Sequence, residues 1–358
     1  MFPAKPENSI DILGIMSGTS LDGLDLSLVN FEKHLNSWTY KVTCAETINY
    51  STDIKSKLSS AHLLSAEEIT KLDFWYGQYI GIKAKDFLKR NEVHADYIAS
   101  HGHTVFHNPS SGYTLQIGKG AAIAAISGIP CISDFRSGDV CRNGQGAPLV
   151  PIGDKLLFSK YQACLNLGGI ANISFDNQLS KRVAFDIVPC NMILNYLAKQ
   201  AGVEFDNSGE LGKKGKIDTN LLSQLNSLEY FNHNEPKSIG REWFEQNILP
   251  PLENATLLLP DKLRTSYEFI SAQIGKTVRE NNLATTLVTG GGAHNSFLID
   301  LIKETSKTVI IVPDKKTVDY KEAIIFAFLG VLFLYKEKGA ISSVTGALED
   351  SVAGSLYY

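Results

Sequence analysis

A strand, a glycine-bearing turn and a second strand recur once in each half of this chain, and that repetition restricts the fold more than any other feature. In the first copy Ile10 to Met16 is a strand-like apolar run and Ser17 to Gly23 is a turn rich in Gly, Ser and Thr. Leu24, Leu26 and Leu28 then alternate with Asp25 and Ser27 at the period of a strand. In the second copy Ala163 to Phe175 reads as strand, Gly168–Gly169 turn and strand. Two hairpins of one kind, one per half, predict two related domains, and the length of 358 residues suits that division.

Between the hairpins, strands alternate with helices. Ser65 and Glu68 fit a capping box ahead of apolar Ile69, Leu72, Tyr76 and Ile80, which predicts a helix from about Ser65 to Asn91. Asp96 to Ser100 reads as a strand leading into HGHT, Gly120 to Ser127 as a short helix and Ile129 to Ser133 as a buried strand. Farther on, Val183 to Ile187 reads as a strand and Asn191 to Ala201 as a helix. Thr286 to Thr289 is a third strand, followed by a Gly290–Gly292 turn and a helix over Asn295 to Thr305. The class predicted is α/β. The polar, turn-rich stretch from Asp134 to Pro151 puts the domain junction near its start, giving domains 1–133 and 134–349, with the tail 350–358 able to rejoin the first.

Charge and apolar content exclude several function classes. The net charge of −4 and pI of about 6.1 supply no basic field for nucleic acid. The most apolar run, Ala323 to Tyr335, is shorter than the roughly 18–20 residues that cross a bilayer, so it reads as a buried core helix and not a membrane span. The first residues, MFPAKPENSID, lack the apolar core of a signal peptide. Cys44, Cys131, Cys141, Cys164 and Cys190 form no CxxC pair, which predicts reduced thiols and a cytoplasmic setting.

The opening turn sets Asp22 and Asp25 beside Ser17, Thr19 and Ser20. Hydroxyls and N–H groups suit phosphate oxygens, and the carboxylates suit Mg2+, directly or through water. A surface hairpin whose polar residues merely satisfy the turn fits the same spacing. A Walker loop does not, because no Gly-Lys-Ser/Thr pair is present and the segment after the turn has period two. Gly168 and Gly169 allow either close approach to a phosphate or a simple tight turn. Gly290, Gly291 and Gly292 lie between a strand and a helix start, where a flat ligand or a phosphate can approach. A flexible loop is the other reading, and the GxGxxG spacing is missing.

Asp186 ends the strand VAFDI, where α/β proteins place their sites, and can there take a proton from water or a sugar hydroxyl. Capping the next helix is the alternative. His101, His103 and His107 lie in a stretch broken by Gly102 and Pro109, with no carboxylate nearby, so hydrogen bonds to a polar substrate or to backbone are favoured over a metal site. Arg136 and Asp139, with Lys237, Arg241 and Glu242, suit a sugar, its carboxylate or nucleotide phosphates, or else structural salt bridges.

Taken together, the segments GIMSGTSLDGLD, SHGHTVFHNP, LQIGKGAAIA, DFRSGDV, GQGAPLVP, LNLGGIANIS, FDIVPCNM, PKSIGREWF, VTGGGAHN and KEAIIFAFL resemble, in order and over nearly the whole chain, the anhydro-N-acetylmuramic acid kinases. The resemblance implies a two-domain, actin-like ATPase fold of the ribonuclease H-like kind with an interdomain cleft. It implies a cytoplasmic enzyme of peptidoglycan recycling that uses ATP and Mg2+. Such an enzyme opens 1,6-anhydro-N-acetylmuramic acid with water and phosphorylates its 6-oxygen, giving N-acetylmuramic acid 6-phosphate and ADP, and a homodimer is plausible.

By motif match Asp186 is the base that activates water. Gly18, Thr19, Ser20, Leu21, Asp22, Gly23, Leu24 and Asp25 form the ATP phosphate motif, with Asp22 and Asp25 toward the metal. Gly168 and Gly169 form a second phosphate turn, and Gly290 to Gly292 the adenosine-side turn. Glu322 has a positioning role near the substrate, and Arg136 and Asp139 are assigned as sugar contacts. The chain departs from the family where Asp-Thr-Gly-Pro-Gly-Asn becomes Asp186-Ile187-Val188-Pro189-Cys190-Asn191, where Arg142-Asn143 precede Gly144, and where His103 replaces glutamine. The altered segment Ile187 to Cys190 motivates one alternative, a related kinase for another amino sugar; a second is a non-catalytic ATP-binding paralogue, against which the retained carboxylates Asp22, Asp25 and Asp186 argue.

Overall fold

The computed structural model describes residues 9–18, 21–35, 37–232 and 237–358. Its strands are β1 (Ser9–Ser17), β2 (Gly23–His34), β3 (Ser37–Asn49), β4 (Tyr97–Asn108), β5 (Tyr113–Ile117), β6 (Cys131–Ser133), β7 (Ala163–Leu167), β8 (Ile170–Asp176), β9 (Arg182–Pro189), β10 (Thr285–Thr289), β11 (Val309–Ile311) and β12 (Ser355–Tyr357). They form two sheets, ordered β12-β6-β4-β1-β2-β3, with β5 beside β4, and β11-β10-β7-β8-β9.

The two sheets share one plan. β1, β2 and β3 are antiparallel in succession, and β4 then pairs parallel on the other side of β1, with β6 parallel beyond it. β7, β8 and β9 repeat the antiparallel meander, β10 pairs parallel with β7, and β11 pairs parallel beyond it. With the hairpin strand β5 and the tail strand β12 set aside, the first sheet reads 3-2-1-4-5 like the second, the ribonuclease H-like order whose duplication defines actin-like ATPases. The two sequence hairpins are the β1–β2 and β7–β8 pairs, so the predicted fold class holds.

In the first sheet β1 is buried on both faces, as a strand with neighbours and helices on every side must be. The helix Ala66–Arg90 covers one face, with Tyr76, Ile80, Ala84 and Phe87 packed on Leu13, Ile15, Leu24, Leu26 and Leu28. Its Ser65–Glu68 capping box is present as the sequence predicts. The other face carries the helix Lys315–Leu334, whose Phe328 ring lies 5.5 Å from both Phe31 and Trp38. This is the predicted core helix. Among the described residues no helix is long and apolar enough to cross a membrane. In the second sheet Leu165, Leu167, Ile173, Phe175 and Phe185 pack on Tyr267, Phe269, Ile270 and Ile274 of the helix Leu259–Glu280.

The chain divides into two compact units, residues 1–157 with 320–358, and residues 158–319. The expected junctions at 133/134 and 349/350 differ from this division, for two physical reasons. Asp154 of the helix Val150–Leu157 forms a buried 2.7 Å ion pair with Lys321. Asp139 accepts a 2.8 Å hydrogen bond from the Thr345 hydroxyl. Residues 134–157 and 320–349 are therefore tied to each other, and both belong to the first unit. In the tail, β12 pairs with β6.

Candidate active site

In the first unit β1 ends at Ser17 and β2 begins at Gly23, so the turn 18–22 sits at the C-terminal end of a central strand. Leu21 N–H donates to the Gly18 carbonyl at 3.3 Å, and Leu21 has a φ of 58°. Thr19 and Ser20 lie outside the described residues. Asp22 is exposed, and Asp25 is half-buried with one oxygen accepting from the Thr47 hydroxyl at 2.6 Å. Gly23 and Leu24 are buried and anchor the second strand. Among the described residues no cluster of three His, Cys, Asp or Glu side chains forms a ready metal cage. Asp22 in the turn and Asp25 in β2 are oxygen donors of the kind that suits Mg2+, which binds through one or two carboxylates and completes its shell with phosphate and water.

The histidines lie on a bulged strand. Ile15 pairs with Ser100 but Ser17 with His103, so β4 carries an extra residue there. Gly102 takes it up at φ 73°, and a Cβ at this position would stand 2.5 Å from the Ile117 carbonyl oxygen. The bulge sends the two neighbouring histidines to different partners. His101 lies 4.6 Å from the Phe326 ring, whereas His103 sets its ring edge-on to Tyr76.

His101 Nδ1 donates to the Gly102 carbonyl at 2.9 Å, and its Nε2 accepts from Arg136 Nε at 3.0 Å. Burial first, and then the Arg136 charge, push His101 down to about 3, so it is neutral. A second guanidinium nitrogen of Arg136 donates to the Gly146 carbonyl at 2.7 Å. Arg136 is thus aimed by two acceptors. Burial lowers it to about 10, opposed by Glu322. Glu322 keeps exposed surface yet is crowded by the protein around it. That crowding raises its carboxyl above the usual range, against the pull of Arg136 and Lys321.

Asp139, expected as a sugar contact, sits inside the first unit. It is only 1% exposed, and its oxygens accept from Gly146 N–H at 2.7 Å and Thr345 Oγ1 at 2.8 Å. Both oxygens are engaged inside the unit, so Asp139 braces the loop that Arg136 also holds.

In the second unit three sequence motifs converge at the C-terminal ends of the parallel pair β7 and β10, where Thr289 stands opposite Asn166. Asn191 Nδ2 donates to the Leu167 carbonyl at 3.0 Å. Gly290 has φ 83°, and a Cβ on it would stand 2.4 Å from Asn166 Oδ1. A Cβ on Gly292 would meet Leu167 Cβ at 2.7 Å, whereas one on exposed Gly291 would meet nothing closer than 3.9 Å. The Gly168 and Gly169 carbonyls accept from Asn191 and Met192 N–H at 3.2 and 3.0 Å. The first amides of the helix Asn191–Gln200 are therefore occupied, and any phosphate contact here falls to the amides of the glycine turn itself.

Asp186 lies on β9 at a second bulge. Ala171 pairs with Val188 but Asn172 with Asp186, which leaves Ile187 as the additional residue. Ile187, Val188 and Cys190 are buried, so the departures from the family pattern are absorbed as core. Ile239 N–H donates to Asp186 Oδ2 at 2.9 Å. Among the described residues Oδ1 has no protein hydrogen-bond partner. Burial raises the Asp186 carboxyl above its ordinary value, partly offset by the Ile239 amide. A carboxylate held by one oxygen, open at the other and made more basic is suited to taking a proton.

Anhydro-N-acetylmuramic acid kinase is the description of the family whose sequence profile matches residues 10–358. The chain belongs to that family. Among curated relatives, the anhydro-N-acetylmuramic acid kinases of Clostridioides difficile, Coxiella burnetii and Sulfurimonas denitrificans are 33%, 31% and 30% identical to it. The matches cover 96%, 97% and 96% of this chain and 97%, 97% and 98% of those proteins. Among solved structures, the (R)-2-hydroxyglutaryl-CoA dehydratase component A of Acidaminococcus fermentans aligns over 91% of this chain and 100% of its own, at TM-score 0.49 and 12% identity.

Sequence reasoning missed the supports of this family's motifs. Ile239 reaches Asp186 from 53 residues away, and only its backbone acts, so no side-chain pattern announces it. Thr47, Tyr50 and Tyr76 lie in segments with no chemical motif, and the fold alone brings them under the opening turn.

Proposed function

We propose that this protein is an ATP-dependent kinase for 1,6-anhydro-N-acetylmuramic acid in peptidoglycan recycling, working in the cytoplasm. The observation that carries the reading is Asp186: a carboxylate fixed through Oδ2, open at Oδ1 and raised by burial, in a family-matched segment.

The chemistry assigns its role. An internal ether oxygen is a poor nucleophile, so it must gain charge before it can attack phosphorus. Asp186 takes a proton from water, and the water oxygen bonds to the anomeric carbon as the bond from that carbon to the 6-oxygen breaks. The released 6-oxygen bonds to the γ-phosphorus, and the bond to the bridging oxygen breaks to give ADP and the 6-phosphate. The base thus serves water and not a sugar hydroxyl.

On this reading the turn Gly18 to Asp25, Gly168–Gly169 and Gly290–Gly292 contact ATP. Mg2+ would be held by Asp22 and Asp25, through water, and would offset charge on the phosphates. Arg136, aimed by His101 and Gly146, and Glu322 contact the sugar. A homodimer is the expected assembly, and sedimentation of the purified chain tests it.

The deciding experiment incubates purified protein with the anhydro sugar, ATP and Mg2+, and identifies the product by mass and NMR. Ring-opened 6-phosphate formed with stoichiometric ADP is the expected result. Phosphorylation of an ordinary amino sugar in preference would replace the substrate assignment. ATP binding without sugar-dependent ADP release would make the chain a non-catalytic paralogue.

A further inference from the structure

Beneath the opening turn runs a buried chain of hydroxyls that ends on an imidazole. Tyr50 OH donates to Ser17 Oγ at 2.8 Å, and the Tyr50 and Tyr76 hydroxyls are 2.6 Å apart. Ser17 Oγ lies 3.2 Å from His103 Nδ1. Ser17 and His103 are 1% and 4% exposed.

The proton inventory fixes the direction. Tyr50 has one proton and gives it to Ser17, so Tyr76 donates to Tyr50. Burial, with a smaller contribution from the Asp25 charge, pushes Tyr50 up to about 12, so it remains a donor throughout the working range of pH. Ser17 accepts from Tyr50 and has its own proton left to give. Burial pushes His103 down to about 4, so its ring is neutral. Only a bare Nδ1 can accept from Ser17, which makes the proton-bearing nitrogen Nε2.

The position of Ser17 gives this chain its use. Ser17 is the last residue of β1, and Gly18 begins the turn. The bulge at Gly102 spends one residue to bring His103 opposite Ser17. The two hydrogen bonds on the Ser17 hydroxyl disfavour other rotamers at the last residue of β1.

We propose that His103, as its Nε2–H tautomer, is a positioning residue for nucleotide binding: it anchors Ser17 and through it the take-off of the phosphate turn. The inference rests on the reading of Gly18 to Asp25 as an ATP phosphate motif.

The test compares MgADP affinity by calorimetry in the parent protein, His103→Gln and His103→Leu. Glutamine keeps a side-chain oxygen that can accept from Ser17, and leucine has none. His103→Leu should bind MgADP about tenfold more weakly or worse, and His103→Gln within about threefold of the parent, the scale of one buried hydrogen bond. The KM for the sugar should not change in either. Equal MgADP affinity in the parent and His103→Leu overturns the inference alone. Absence of MgADP binding by the parent overturns the functional reading and this inference with it. Nitrogen-15 spectra of histidine-labelled parent protein at pH 7 decide the matter even if His103→Leu does not fold. A bare, hydrogen-bonded Nδ1 on His103 supports the inference, and a protonated Nδ1 overturns it.

Discussion

The Ile239 amide holds Asp186 Oδ2 at 2.9 Å, and that single bond orients the carboxylate so that its other oxygen stays open. Asparagine in place of Asp186 can keep this bond through its side-chain carbonyl but cannot accept a proton. Asp186→Asn should therefore lower kcat by about 10²–10⁴-fold, the range of general-base catalysis, with MgADP affinity retained. Its effect on stability has a defined sign. Burial raises the folded-state pKa above the unfolded value, so the ionised form at neutral pH is disfavoured by folding. The neutral variant should melt at or above the parent temperature in calorimetry, and a clear loss of stability would contradict the burial account.

The triple-glycine turn is not uniformly glycine-dependent. Gly290 combines a φ of 83° with a 2.4 Å approach to Asn166, whereas Gly291 has open space. Gly290→Ala should cost on the order of 1–3 kcal/mol from backbone strain, with further loss from the clash. Gly291→Ala should leave stability within about 0.5 kcal/mol, as surface substitutions do. Urea titrations of the two variants test the contrast.

Asp154 and Lys321 form an ion pair whose side chains are 4% and 6% exposed. Lys321→Met leaves an uncompensated buried carboxylate and should destabilise by about 3–5 kcal/mol. Asp154→Leu combined with Lys321→Met should recover much of that loss, because neither buried charge remains. A double-mutant cycle in urea measures both.

Acid should unfold the first unit through its histidines. His101 and His103 are depressed to about 3 and about 4 in the folded state. Unfolded histidine titrates near about 6.5. Below that value the unfolded chain binds protons that the native state refuses, so their stabilising contribution is present above about 6.5 and is lost as pH falls toward the folded values. Each contributes about 1.4 kcal/mol per pH unit within that window. His103→Gln should flatten the dependence of unfolding free energy on pH between about 6 and 4 by about that amount.

Local patterning showed some of this structure and could not show the rest. The capping box at Ser65 and the apolar run from Ala323 lie within single elements, and both were legible. β4 was read only to Ser100 because a strand of alternating residues was expected to stop at Gly102, whereas the glycine is the bulge that lets it continue to Asn108. β3 and the helix Leu259–Glu280 went unread, since partly exposed polar positions blur their periods. The division into compact units falls elsewhere than the expected junction, since residues such as Asp139 and Thr345, 206 positions apart, are joined by a hydrogen bond that no local composition reveals. For the site, the glycine turns and Asp186 were visible as residue types. What holds them, the Ile239 amide and the Tyr50–Ser17–His103 chain, depends on distant segments meeting.

The division of the chain also sets the order in which it can be completed during synthesis. Residues 158–319 form one continuous block with all five strands of their sheet, whereas the first sheet needs β12 at 355–357 beside β6. Domains ordinarily mature in the order they leave the ribosome. Here the first sheet must wait for β12, which is made after residues 158–319, and that intervening block can finish before it.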